Sequence, residues 1–327
     1  MTMTMTTRRT MLAALGALAV MPTQAQEAAW PKQKPVTLVV PYGPSGAPDG
    51  MTRLAAEAFK KKFGQSFVVE NRPGAGANIG VAHVAKAKPD GYTLVSAPVG
   101  AFAINQFLYD KLPYAPDDLV PITPIFEIPN VFAVPATVPA NTVTEYVEYL
   151  RKRGKSITFG SPGVGNSAHL WGELFRSRIN MEGVHSPFTS GQQVVVSMLQ
   201  GDVDFVIDVL ASYRPFLQAG KLKALAVTGS TRSPLFPQVP TMEESGFPGF
   251  DLTTWVAFAA PRGTPADVLA AVSGAQRELA ADPAMQKQFT AAGVRIAAST
   301  PAELQARIAL ERPRWQQLVK MSGAKVN

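Results

Sequence analysis

The sequence has no cysteine and little charge, and both shortages exclude classes of protein. Among its 327 residues, three are His and 17% are charged, below the usual quarter. Without Cys the chain cannot form a disulfide scaffold, a thiolate zinc site, an iron–sulfur cluster or a cysteine nucleophile. No spacing of His with carboxylates suits a metal, so we expect neither metal nor cofactor. Gly and Pro are abundant instead, which indicates a packed protein with many turns.

Long apolar runs are missing beyond the N-terminus. Arg8 and Arg9 precede a short apolar stretch at residues 10–21, and the small-residue site Thr23-Gln24-Ala25 follows it. This arrangement is typical of a secretory signal peptide, so we predict that residues 1–25 are removed after export by the Sec or the twin-arginine route. No later segment reaches about 18 uninterrupted apolar residues. We therefore expect the mature protein in the periplasm.

The excess of basic residues is small and scattered. The formal net charge is +7, and removing residues 1–25 takes away Arg8 and Arg9. The densest basic runs, at 60–62 and 151–153, fall at the ends of predicted helices, where cations suit the helix dipole. No aromatic residues are interleaved with them, so we exclude nucleic acid as a partner.

Strand-like runs alternate with helical periodicity along most of the chain. Residues 36–40 read as a buried strand, and the apolar spacing from Met51 onward predicts a helix to Phe63. Further strands are predicted at 67–70, 93–96, 157–159, 203–207, 225–227 and 253–257, and helices at 79–86, 142–153, 241–246, 265–281 and 300–320, with a further helical face at 170–175. This alternation predicts an α/β fold whose sheets are mostly parallel and covered by helices on both faces.

The prolines predict a division into two lobes. Seven prolines between Pro113 and Pro139 leave room for short extended pieces at 122–126 and 131–134, so we place a crossing there. The strand at 253–257 suggests that the chain crosses back. We predict domain I at 26–125 and 249–327, domain II at 126–248, and a ligand cleft beside the hinge of two crossings.

Four polar or Gly-rich turns directly follow predicted strands, at 41–49, at 96–100, at 160–169 and at Asp208. In open α/β sheets, ligands bind at the carboxyl ends of strands. The first and third turns also lead into helices, whose first amide hydrogens have no partner within the helix. We interpret these two turns as anion-binding helix starts, one in each lobe. Ordinary βα turns are the alternative.

A catalytic interpretation fits the same turns less well. Ser45 and Ser167 stand in partial nucleophile elbows, but Ala47 and His169 occupy the position of the final Gly. We therefore expect no enzyme, with a serine hydrolase kept as an alternative.

A hydrolase would need one of the three histidines as its base. We predict that His83 lies on an exposed helix and that His185 ends a strand. His169 falls one or two turns into the helix after the Gly-rich loop. It is either a polar contact to the ligand or a packed core residue.

The stretch Gly74–Gly80 invites comparison with a dinucleotide-binding fingerprint. Its last Gly is one residue late, and no acidic residue stands at the expected spacing. We interpret it as a turn that needs positive φ and close backbone approach.

At this point a series of motifs resembles the Bug/TctC family, the periplasmic solute-binding receptors of tripartite tricarboxylate transporters. The motifs, in order, lie at 41–49, 69–80, 88–94, 160–169, 219–227, 237–246 and 260–265. The resemblance implies a hinged, two-lobed periplasmic binding protein of type II-like architecture. It implies a monomer that captures a small aliphatic or aromatic mono-, di- or tricarboxylate and delivers it to membrane permease subunits. A receptor that signals to a sensor kinase would share the same pocket.

The resemblance also implies the binding residues, largely through backbone amides, small hydroxyls and ordered water. The first loop would contribute Tyr42, Ser45, Gly46, Ala47 and Asp49; the third loop Ser161, Gly163, Gly165, Asn166 and Ser167, with His169 close by; and Ser96, Ala97 and Asp208 would line the far side. For Asp49, capping of the following helix is the alternative.

Three departures from the family pattern bear on the ligand. Ser45 replaces one Gly of a Gly-Gly pair, and Pro48 removes a donor amide. Phe188-Thr189 stands where the family tends to show Tyr-Lys, which removes a phenolic hydroxyl and a cation. We therefore expect a less polar pocket that suits an aromatic or longer aliphatic carboxylate.

Overall fold

A computed structural model describes residues 30–44 and 46–326 of the chain. The predicted signal peptide and Ser45 lie outside the described residues. Among the helices that are described, none has the length and apolar character needed to cross a membrane.

Ten α-helices and eleven strands alternate through the described residues. The strands are β1 (Val36–Val40), β2 (Phe67–Asn71), β3 (Thr93–Pro98), β4 (Leu119–Ile128), β5 (Asn130–Pro135), β6 (Ile157–Ser161), β7 (Gly183–Pro187), β8 (Val206–Val209), β9 (Leu222–Val227), β10 (Thr254–Pro261) and β11 (Arg295–Ile296). The helices are α1 (Ala47–Phe63), α2 (Asn78–Ala85), α3 (Asn105–Leu108), α4 (Val143–Arg153), α5 (Ser167–Ile179), α6 (Gly191–Gln200), α7 (Leu210–Gln218), α8 (Ala266–Ala281), α9 (Pro283–Ala291) and α10 (Pro301–Ser322).

The first lobe is built on one six-stranded sheet with the order β11-β4-β10-β3-β1-β2. Strand β1 pairs in parallel with β2 and β3, so the predicted parallel arrangement holds at this edge. Strand β10 runs antiparallel to both β3 and β4, because the chain enters it after returning from the second lobe. The sheet is therefore mixed, and the carboxyl ends of β1, β2 and β3 lie at one edge.

The second lobe carries two smaller sheets. Strand β5 is central in β8-β5-β9 and antiparallel to both neighbours, whereas β6 and β7 pair in parallel. A bridge between Phe159 and Phe205 connects the two sheets. The two-lobed α/β architecture is confirmed, whereas the residue boundaries at 126 and 248 stay a prediction.

Helix α1 shows how the sequence sets an element that positions the site. Met51, Ala55 and Phe59 recur at helical spacing and are buried against the sheet. Gly64 ends the helix in the left-handed conformation, with φ of 67°. The start of α1 is thereby fixed directly after the loop that follows β1.

The prediction that prolines confine 113–139 to short extended pieces is wrong for β4. This strand has ten residues and includes Pro121 and Pro124. Its pairing with β10 shifts register twice, so that Ile122 and Ile125 have no partner in β10. Such bulges accommodate residues that cannot donate to the ladder. The crossing into the second lobe is correspondingly short, with Pro129 alone between β4 and β5.

The predicted helix at 241–246 is also wrong. The expected capping bonds form, since Glu244 N donates to Thr241 Oγ1 and Thr241 N donates to Glu244 Oε2. The segment is nevertheless a series of turns between Pro240 and Pro248. Helices α3, α6, α7 and α9 were not predicted, and the strand expected at 203–207 is displaced to Val206–Val209.

The two lobes also pack against each other through aromatic side chains. Trp171 on α5 of the second lobe contacts Trp315 on α10 of the first, with ring centroids 5.4 Å apart. Trp255 on β10 stacks on Phe102 at 5.6 Å. All four side chains are buried, so the apolar core continues from one lobe into the other.

Beside these rings lies a buried charge network. The Glu311 carboxylate accepts from Trp255 Nε1 at 2.9 Å, from Trp315 Nε1 at 3.3 Å and from Arg307 Nε at 2.6 Å. Arg307 and Arg295 both pair with Glu127. Glu311 therefore joins α10 to β10 at the centre of the first lobe.

Candidate functional site

The loop after β1 is held by a polar cluster around Asp49. Asn71, the last residue of β2, donates from Nδ2 to the Tyr42 carbonyl at 3.0 Å and to Asp49 Oδ1 at 2.9 Å. Arg53, one turn along α1, pairs with the same carboxylate at 2.9 Å. Asp49 is 4% exposed, so it fastens β2 to α1 beneath the loop.

Asp49 does not cap α1. The N-cap is Gly46, which has no side chain, and Asp49 is the third helical residue. Because Pro48 has no N–H, the first turn of α1 presents fewer amide donors than most helices do. The capping alternative for Asp49 is therefore wrong.

Ser96 and Ala97 lie within β3 and not in a turn after it, which corrects the predicted placement. Both are fully buried. Thr52 Oγ1 donates its proton to the Pro48 carbonyl at 2.6 Å, and the Ser96 hydroxyl, 2.9 Å from the same oxygen, donates to it. Ser96 thus stabilises the first turn of α1 through Thr52 and has no exposure to solvent in this structure.

The Gly-rich loop of the second lobe begins at Ser161, which is also fully buried. Ser161 Oγ lies 2.6 Å from the Gly163 carbonyl and 3.3 Å from Gly163 N. His185 Nε2 on the neighbouring strand β7 lies 2.7 Å from the same oxygen. His185 therefore lies in the middle of β7, whereas we predicted that it ends a strand.

The loop continues into α5 through Gly165, Asn166 and His169. Gly165 has φ of 75° and donates its N–H to His169 Nδ1 at 3.0 Å. Asn166 caps α5 by accepting from His169 N at 2.9 Å. Because α5 begins at Ser167, His169 lies in its first turn, earlier than we predicted. The amides of Ser167 and Ala168 have no partner within the helix.

His169 and His185 both remain neutral near neutral pH. Burial lowers the pKa of each ring to about 4, and for His185 the repulsion that a protonated His169 would exert lowers the pKa further. His169 is 4% exposed, which favours the packed alternative over a direct ligand contact.

Residues from the two lobes meet at the start of α5. Ser167 Oγ lies 3.3 Å from Thr254 Oγ1 at the beginning of β10. A Cβ placed on Gly165 would lie 2.4 Å from Leu108 Cδ1 in α3 of the first lobe. The Gly-rich loop is thus packed closely against the first lobe.

Asp208 lies within β8, which corrects the prediction of a turn after that strand. Its carboxyl group is buried and accepts from the Tyr213 hydroxyl at 3.0 Å. Burial raises the pKa of Asp208, although hydrogen bonds from Val209 and Tyr213 oppose the shift. Tyr213 in turn lies near Gly191 at the start of α6.

Several residues of this arrangement were missed at the level of sequence. Asn71, His185, Tyr213 and Thr254 hold the predicted residues in place. Asn71 carried a usable signal, since an amide at the end of a strand faces the same sheet edge as the loop after β1. The others depend on tertiary contacts that no local pattern encodes.

The contact between Ser161 and His185 does not form a hydrolase centre. The Ser161 hydroxyl is fully buried, and the carbonyl of Gly163 lies closer to it than the His185 imidazole does. Of the two candidate nucleophiles, Ser167 contacts Thr254, and Ser45 lies outside the described residues. A nucleophile must instead be open to substrate and hydrogen-bonded to its base.

The fold and these two loops define the class, a two-lobed α/β ligand-binding protein. A family model described as "Tripartite tricarboxylate transporter family receptor" (TctC) matches residues 51–324. The protein BugT of Bordetella pertussis is 32% identical over 295 residues, covering 90% of each chain. The chain belongs to the TctC family, and the resemblance noted from its motifs is confirmed.

Two solved structures with bound organic acids are similar to this chain. Rpa4515 of R. palustris with adipate aligns with a TM-score of 0.78 and 31% identity, over 91% of this chain and 100% of that one. MatC of Rhodopseudomonas palustris with bound malate aligns with a TM-score of 0.72 and 28% identity, over 88% and 99%.

Proposed function

We propose that this protein is an exported, periplasmic receptor that captures a small carboxylate between its two lobes and delivers it to a tripartite tricarboxylate-type permease. It acts as a monomer and carries out no chemistry on the ligand. The observation that carries the proposal is the contact of Ser167 with Thr254, at which a helix start from one lobe meets the other lobe. Membership of a transporter-receptor family supports the permease as partner.

Main-chain amides suit such a ligand. The first amides of α5 and the loop after β1 offer donors to an anion without burying an Arg beside it, and helix N-termini favour negative charge. Each hydrogen bond to a charged group contributes about 1.5–3 kcal/mol. Burial raises the pKa of Tyr42 to about 12, so its phenol stays a neutral donor beside this loop.

The lobes close on the ligand because its hydrogen-bond donors are divided between them. A carboxylate that contacts Gly46 and Ala47 on one side and Gly163, Ser167 and the adjoining amides on the other satisfies all its bonds only when the lobes are together. Ligand therefore shifts the population toward the closed form. Reversible, non-covalent binding suits a protein that must release its cargo.

The chemistry of the cleft narrows the ligand class. Relatives hold adipate and malate, both dicarboxylates. This chain carries Phe188 and Thr189 next to the start of α6, and the Phe188 amide bonds the Ser161 carbonyl at 2.8 Å. Because Phe188 and Thr189 add neither a phenolic hydroxyl nor a cation there, the proposed ligand is a longer aliphatic or an aromatic acid.

We expect Ser167→Ala and Asp49→Ala each to lower the affinity for the acid by roughly tenfold, the value of one hydrogen bond to a charged group. The first change removes a hydroxyl at the lobe contact, and the second removes the carboxylate that holds Asn71 and Arg53 beneath the loop after β1. Isothermal titration calorimetry measures the affinity. Ser177→Ala, on the exposed distal turn of α5, is the matched control. Wild-type affinity in both site variants contradicts the proposed site.

A thermal-shift screen tests the proposed function itself. The mature protein is heated with mono-, di- and tricarboxylates, aliphatic and aromatic, and with the methyl ester of each in which every carboxyl group is esterified. We expect at least one free acid to raise the melting temperature and its ester to have no effect. Equal stabilisation by an ester, or no response to any acid, contradicts carboxylate capture.

A further inference from the structure

Two of the three histidines form a stacked pair beneath the Gly-rich loop. The rings of His169 and His185 have centroids 3.6 Å apart and are inclined by 9°. Phe159 stacks against His185 at 5.2 Å and covers the pair from the side of β6. The third histidine, His83, is exposed on α2 in the first lobe.

Each ring of the pair fixes a different point of the loop. His169 accepts the Gly165 N–H directly. His185 acts through Ser161, whose hydroxyl lies within hydrogen-bond distance of both the carbonyl and the amide of Gly163. Gly163 and Gly165 have φ of 145° and 75°, conformations that glycine adopts among many others, so these contacts select one of the shapes open to the loop.

The hydrogen bonds assign the ring protons. His169 Nδ1 accepts, so the proton of that ring is on Nε2. Ser161 has one hydroxyl proton, and with the Gly163 carbonyl as its acceptor at 2.6 Å, His185 Nε2 is left as the donor. The His169 ring is therefore neutral, and a neutral His185 ring supplies the donor that Ser161 needs.

A proton added to His169 would disrupt this arrangement of hydrogen bonds. An Nδ1–H would face the Gly165 N–H, and two imidazolium rings at stacking distance repel each other. The charged groups beside the pair on α5 are Glu173, 3.9 Å from His169 Nε2, and Arg176, which already pairs with Glu173 at 2.9 Å. Glu173 therefore offers little compensation for a second positive charge.

We propose that the stacked pair of His169 and His185 is a positioning device that holds residues 161–166 in the shape that receives the anion, with His185 acting through Ser161. This inference rests on the proposed function, in which the same loop contacts the carboxylate. It gives His185, which lies outside the predicted site, a role in affinity without contact to the ligand.

The device has a defined dependence on pH. Burial lowers the pKa of both rings from an ordinary value of 6.5 to about 4. A base whose pKa is lowered by folding contributes order that is complete above pH 6.5 and is lost as the pH falls toward 4. The loop therefore stays ordered at neutral pH and loosens in acid.

Amide hydrogen exchange of Gly163 and Gly165, the loop amides whose hydrogen bonds the pair supports, tests the device when it is measured by NMR without ligand. At pH 7 we expect His185→Phe and His169→Phe to lower the protection factors of these amides at least tenfold. In His185→Gln, an amide that still donates to Ser161 should restore part of the protection. The exposed His83→Phe is the control and should match the wild type. Amides of α4, in the same lobe, report any general loss of stability.

Two further readouts complete the test. In the wild type, protection of the loop should fall between pH 6.5 and 4.5 relative to α4, with no variant needed. Calorimetry with the best acid of the thermal-shift screen should show weaker binding to His185→Phe. Unchanged loop protection in His185→Phe, or equal losses in the loop and in α4, overturns the positioning role. A loosened loop with undiminished affinity also overturns it. Failure of the wild type to bind any acid contradicts the proposed function and leaves the exchange result standing.

Discussion

Gly165→Ala is expected to weaken binding of the acid by roughly ten- to hundredfold. A methyl group at this position would lie 2.4–2.9 Å from three atoms of Leu108, a buried side chain of the other lobe. Crowding of this kind costs about 1–3 kcal/mol, which converts to that loss of affinity when it acts on the closed form. Calorimetric titration with the best acid of the thermal-shift screen measures it.

Gly154→Ala is the matched control for this experiment. Gly154 also lies in the second lobe and has φ of 64°, but nothing is within 4 Å of a Cβ placed there. Both variants therefore bear the cost of a left-handed alanine, about 1–2 kcal/mol in folding stability. Equal affinities in the two variants would show that the contact between Gly165 and Leu108 has no part in binding.

Glu311→Ala is expected to lower the free energy of unfolding by about 3–5 kcal/mol, the usual cost of removing one partner from a buried ion pair. The carboxylate is 6% exposed and accepts from Arg307 and from two indole N–H groups. Its removal leaves these donors buried with fewer acceptors. Urea denaturation followed by tryptophan fluorescence and by circular dichroism measures the loss.

Two other variants bracket this result. Glu311→Gln keeps an acceptor for the indoles but loses the charge, so an intermediate loss is expected. Glu278→Ala removes an exposed partner of Lys62 and should cost less than about 1 kcal/mol. A loss in Glu311→Ala no larger than that of Glu278→Ala would contradict the role of Glu311 as the link between α10 and β10.

The periodic parts of the fold were predictable from sequence. Strand β1 and helices α1, α5 and α8 combine an apolar repeat with a stop signal, such as Gly64 after α1, and they form close to where the pattern places them. Strand β4 was misjudged because its prolines sit at register shifts against β10. Those shifts depend on a partner more than a hundred residues away in the chain.

The candidate site also has parts that the sequence predicts and parts that it does not. The Gly-rich loop could be located because strand, glycines and helix start are consecutive, and Asn166 caps α5 as its type favours. The stacking of His185 on His169 could not be predicted, because it depends on the pairing of β7 with β6. The burial of Ser96 could not be predicted either, because it depends on the contact of Ser96 in β3 with Thr52 in α1.

A crystal structure of the mature protein with the acid that stabilises it most tests the central claim most directly. The account predicts one carboxylate between the lobes, with its oxygens about 2.7–3.1 Å from amide nitrogens of both the loop after β1 and the start of α5. An acid bound to one lobe alone, a cleft filled by an uncharged molecule, or a carboxylate bound elsewhere on the chain would contradict it.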